Sequence, residues 1–140
     1  MSEEAPARAR VPELTLPRAD GGEAVAIRAR RQATILVLLG DAARPGEAAY
    51  LVSLGAAAES LRAWDGRAFL VARAARPVPD GAPPLLLDAD GRVASAAGVT
   101  PPAVLVTDQW GEVYAAREGA WLSADELEQW LRYLSIRCAG

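Results

Sequence analysis

The chain has 140 residues, enough for one domain with a single core, and its 51% hydrophobic and 24% charged content is that of an ordinary globular protein. A net charge of −3 gives no electrostatic ground for binding nucleic acid or an anionic membrane surface, so neither partner is expected. All 15 basic residues are arginine, histidine is absent and there is one cysteine, which excludes the usual zinc sites; no metal or cofactor is expected.

Taken in chain order, residues 1–10, "MSEEAPARAR", are small and charged and predict a flexible tail, with one domain over 11–140. "VPELTLPRADGGEAVAIRA" carries a Gly-Gly turn followed by a short alternating segment at 24–29. "ATILVLLG" is aliphatic without alternation, the pattern of a strand buried on both faces. Over 45–65, Tyr50, Leu54, Ala57, Leu61 and Trp64 recur at spacings of three and four, which predicts a helix that Gly66 stops. "AFLVARA" reads as another strand.

A proline-rich loop at 77–84 leads to a short strand in "PLLLDADG", an Asp-Gly turn and one or two helical turns. Strands at 103–107 and 112–116 then make a hairpin. In the closing helix, 123–135, Ser123 and Glu126 form a capping box with Leu122 and Leu127 as its staple. Leu127, Trp130, Leu131 and Leu134 supply that helix's apolar face. Strands alternating with helices predict an α/β fold: a central mixed sheet of four or five strands flanked by the two long helices, ending in a β-hairpin plus a C-terminal helix.

Three stretches carry a resemblance: "VPELTLPRADGGEAVAI", "LLLDADGRVASAAGV" and "TPPAVLVTDQWGEVY". In this order and spacing they resemble the redoxin branch of the thioredoxin fold, the alkyl hydroperoxide reductase and thiol-specific antioxidant type of peroxiredoxin, over about residues 11–135. The resemblance implies a cis proline before the strand beside the active site, with Pro102 as its counterpart. The plainer alternative is two trans prolines that stop a helix near Val99. On the family pattern, backbone at Pro102 and Ala103 is left to pair with a substrate peptide.

The resemblance also places Cys-x-x-Cys where the first core strand runs into the first long helix. Counted without gaps, that window falls on Arg44-Pro45-Gly46-Glu47, and the peroxiredoxin pattern PxxxTxxC is absent as well. Arg44 and Glu47 therefore stand as vestigial dithiol positions, and no catalytic residue is assigned. They are candidates to meet a partner's charges, or else a weak surface pair with each other. Cys138, past the closing helix, is the one possible redox thiol. A helix C-terminus disfavours a thiolate, which favours an incidental cysteine.

Asp88-Ala89-Asp90-Gly91 lacks the remaining ligands of a calcium loop and reads as a turn. Trp64 and Trp130 lie on apolar helical stripes, whereas Trp110 and Trp121 are candidates for an exposed anchor. The binding residues expected are thus Pro102, Ala103, Arg44, Glu47 and Trp110. The functional expectation is a redoxin-like domain without its catalytic cysteines, serving as a non-catalytic binding or assembly module for a protein partner or a second copy. The alternative is a thiol-dependent antioxidant oxidoreductase using Cys138 or a partner's cysteine. No run approaches the ~20 apolar residues of a membrane span, and a lone cysteine cannot form an internal disulfide; a cytoplasmic location is expected.

Overall fold

A short antiparallel ladder opens the fold, β1 (Thr15–Leu16) against β2 (Val25–Ala26), on either side of the Gly-Gly turn. The structure, a computed structural model, describes residues 8–138. The aliphatic run then forms β3 (Ala33–Leu38), and all six of its residues are buried. After α1 (Glu47–Ala56) and α2 (Ala58–Arg62) come β4 (Gly66–Ala72), β5 (Leu85–Leu87) and α3 (Arg92–Ala97). The hairpin β6 (Ala103–Thr107) and β7 (Val113–Glu118) precedes α4 (Ala124–Cys138).

The main sheet has five strands in the order β5-β4-β3-β6-β7, which sets β3 at its centre. β3 runs parallel to β4, and β4 to β5, while β6 is antiparallel to both β3 and β7. Alternation along β3 sends Ile35 and Val37 to one core, with Leu51 and Leu54 of α1, Leu61 of α2 and Leu127, Leu131 and Leu134 of α4. Leu36 and Leu38 point the other way, to Leu16, Ile27, Val93 of α3 and Leu105. A centre strand buried on both faces has no polar face to alternate with, so the run of "ATILVLLG" is unbroken.

Two expectations need correction. The single helix over 45–65 is two helices, broken at Ala57, whose backbone (φ −85°, ψ 0°) caps the first and starts the second. The apolar stripe survives the break: Leu54 and Leu61 are buried, with Tyr50, Ala57 and Trp64 packed against them. The chain is also held before residue 11. Val113 N–H donates to Ala9 C=O at 2.8 Å, and Arg10 bridges Glu112 and pairs with its carboxylate at 3.3 Å. Residues 1–7 of the expected tail lie outside the described residues.

The helix signals in the last third match their elements closely. Ser123 N–H donates to Glu126 Oε1 at 3.0 Å and Glu126 N–H donates to Ser123 Oγ at 3.2 Å, closing the capping box. The backbone N–H of Ser123 and the Arg117 guanidinium hold the Glu126 carboxyl below the usual carboxylate range. Asp88 is a turn residue as expected: its carboxylate accepts from Arg92 and Val93 N–H at 3.1 and 2.9 Å, satisfying the start of α3.

Candidate functional site

β3 ends at Leu38 and passes through Gly40 to the start of α1, at the carboxyl ends of the parallel strands where open α/β sheets place their ligands. Gly46 takes the left-handed conformation (φ 80°) just before the helix, and Glu47 is its first residue. Glu47 N–H donates to Arg44 C=O at 3.0 Å, so Arg44 and Glu47 share one turn, but their side chains part. Arg44 is exposed; Glu47 is only 4% exposed. The expected weak surface pair between them is not what forms.

The partner of Glu47 is Arg76, in the loop after β4. Arg76 Nη2 donates to Glu47 Oε2 at 2.5 Å, and Arg76 Nη1 donates to Gly40 C=O at 2.7 Å. The two side chains are only 11% and 5% exposed, so this pair is largely shielded from solvent. Glu47 Oε1 is buried without a hydrogen-bond partner among the described residues. A carboxylate at the first position of a helix also meets the partial positive charge of the helix end. Gly40 links this pair to the proline segment, since a β-carbon built on it would lie 3.9 Å from the Pro102 ring.

The Pro101–Pro102 peptide bond is cis. The backbone there offers less than expected. Pro102 is buried, and its carbonyl accepts Gly119 N–H at 2.8 Å. Ala103 is fully buried and paired on both sides, with Leu38 of β3 and Glu118 of β7. Neither proline has an N–H to give, and Thr100 N–H is taken by Glu118 Oε1 at 3.1 Å. Ala103 therefore has no open strand side for a peptide to pair with, because β3 and β7 occupy both.

α1 is pinned one turn further on. Tyr50 O–H donates to Leu122 C=O at 2.7 Å, and its ring stacks on Trp121 with centroids 4.9 Å apart. Burial pushes the Tyr50 phenol up, with the Glu126 charge adding to the effect. Trp121 is thus half-buried packing rather than the exposed anchor proposed for it.

Trp110 is exposed as expected, at 56%, but it belongs to the other end of the molecule. Register decides this: Ala103 lies opposite Leu38, beside the start of α1, while Thr107, just before the Trp110 turn, lies opposite Thr34. Cys138 ends α4, whose Leu134 and Ser135 line a cavity with Ala33 and Asp108 at that same far end. Arg44, Glu47 and Pro102 lie at the same end of the sheet, and Trp110 and the end of α4 at Cys138 lie at the other. Sequence reasoning missed Arg76. Its one signal was position, four residues past the end of a parallel strand on the ligand side of the sheet.

No protein-family model matches the sequence, and no curated protein matches it. Solved structures do match in shape. Xanthomonas campestris peroxiredoxin Q superposes with a TM-score of 0.75 at 17% identity, over 92% of this chain and 98% of that one. Enterococcus faecalis AhpC gives 0.73 at 14% identity, over 95% and 94%. StoA from Bacillus subtilis gives 0.67 at 18%, over 87% and 98%. The fold is thioredoxin-like. Within this thioredoxin-like fold, the start of α1 carries a carboxylate, Glu47, and the loop after β4 brings the Arg76 guanidinium to it. Among the described residues no group of three or more His, Cys, Asp or Glu side chains is placed to hold a metal ion, and no helix is long and apolar enough to cross a membrane.

Proposed function

We propose that this chain is a redoxin-fold domain without thiol chemistry that works as a binding or assembly module in the cytoplasm. The observation that carries the reading is the Glu47–Arg76 pair at the start of α1. Thiol redoxins need a thiolate there, stabilised by a helix end and a neighbouring cation. Here the helix start and the cation serve a carboxylate, which cannot be oxidised to a sulfenic acid or exchange disulfides. Cys138, the chain's one cysteine, ends α4, which finishes at the opposite end of the sheet from the start of α1.

The partner is a protein or a second copy, met at the exposed Arg44 turn and the half-exposed Pro101. Because the prolines offer no backbone donors, contact there rests on the Arg44 charge and on apolar packing rather than on strand pairing. The test is a peroxide-consumption and insulin-reduction assay on the purified chain and on Cys138→Ser, with dithiothreitol as reductant. Neither protein should turn over. Turnover that vanishes in Cys138→Ser would instead establish a thiol-dependent oxidoreductase.

A further inference from the structure

β5 pairs with β4 only along Leu70–Ala72, so the first four residues of β4, Gly66–Phe69, have no strand on their outer side. The loop through Gly81 and Pro84 bends around that open stretch and, with α2, walls a half-open cleft of about 450 Å³. Its size falls in the range of pockets that hold small organic ligands, roughly 300–1,000 Å³. Arg62, from the end of α2, and Arg67, from β4, both line it, and no acidic side chain does. Leu61, Phe69 and Pro84 supply apolar wall.

Arg67 is held in an unusual way for a guanidinium. Nη2 donates to Ala26 C=O at 3.0 Å and to Thr34 Oγ1 at 2.9 Å, and the group lies 5.0 Å from the centre of the Phe69 ring. These partners orient the charge without cancelling it, and Nε is buried with no hydrogen-bond partner among the described residues. Burial lowers the Arg67 pKa, the mark of a cation that has lost water without gaining an anion. A half-buried positive charge without a counter-charge is costly, and an anion beside it removes that cost. No ion pair among the described residues engages either Arg62 or Arg67.

We propose that this cleft binds a small organic anion, its carboxylate or phosphate head between Arg62 and Arg67 and its apolar body against Phe69 and Pro84. The planar guanidinium suits both head groups, and the apolar wall asks for a carbon body rather than a bare inorganic ion. The site lies at the open edge of β4, apart from the Glu47–Arg76 pair, and does not depend on how that pair is read.

The test is an amide NMR titration of the full chain with hexanoate, phenyl phosphate, inorganic phosphate and neutral hexanamide. Hexanoate, phenyl phosphate or both should give saturable shifts centred on Arg62, Arg67 and Phe69; which one binds tighter identifies the head group. Hexanamide and inorganic phosphate should bind on the order of tenfold more weakly or not at all, because each lacks one half of the recognition. Arg67→Gln removes bonds to Ala26 and Thr34, so Arg62→Gln, on an exposed helix end, is the paired variant, and it should weaken binding by on the order of tenfold. The proposal is overturned if neither organic anion binds, if hexanamide or inorganic phosphate binds as well as they do, or if Arg62→Gln leaves affinity unchanged.

Discussion

Arg76 joins three parts of the chain that are far apart in sequence: its own loop, the Gly40 carbonyl after β3 and the Glu47 carboxylate at the start of α1. Removing one member of such a shielded pair leaves the other charge without compensation, at a cost of about 3–5 kcal/mol. Arg76→Ala should therefore lower unfolding free energy by about that amount in urea, far more than loss of the exposed Arg132–Glu128 pair, for which about 0.3–0.5 kcal/mol is expected. Equal effects from the two would show that the Glu47 site is wet. The Glu47 position was legible, because counting from β3 reaches the helix start without a gap. Its partner was not, since 29 residues separate the two and the intervening prolines give no periodic signal.

Among the elements, α1 shows how packing overrides pattern. Its Gly55 meets the Gly81 carbonyl so closely that an added β-carbon would fall 1.6 Å from the oxygen. Gly55→Ala cannot be absorbed by a flexible side chain and should destabilise by about 1–3 kcal/mol, despite alanine's better helix propensity. A gain in stability would mean that the 79–82 loop moves freely away. Tyr50, on the same helix, makes a pH prediction. Its phenol titrates higher folded than unfolded, so its contribution is present below the unfolded value of about 10 and is lost as pH rises toward the folded one. The urea midpoint should fall between pH 9 and 11, and Tyr50→Phe should flatten that fall while losing about 0.5–1.5 kcal/mol at neutral pH. An equally steep fall in the variant would place the alkaline sensitivity elsewhere. The α4 capping box and the apolar run of β3 were readable because their signals are local. The break at Ala57 was not, because a run of small residues continues a helix as readily as it ends one.

At the scale of the whole molecule, sequence order brought the right strands together but said little of which loops share an end of the sheet. Pro102 and Trp110 are eight positions apart, yet β6 carries the chain from one end to the other between them. Only the antiparallel register of β6 against β3 reveals that the two candidates cannot serve one surface. The same register leaves the outer side of β7 as the boundary of the sheet, and its first residues are covered by the segment before β1. Val11 N–H donates to Gly111 C=O at 2.8 Å and Val113 N–H to Ala9 C=O, while the Val11 side chain is fully buried. That segment pairs beside Glu112 and Val113 and so shortens the strand boundary that could take a strand from another molecule. Cutting the chain after Val11 should make it aggregate more than the full chain, visible as a larger rise in light scattering and thioflavin fluorescence on warming. The opening residues would then be, for this sheet, what a hem is to cloth.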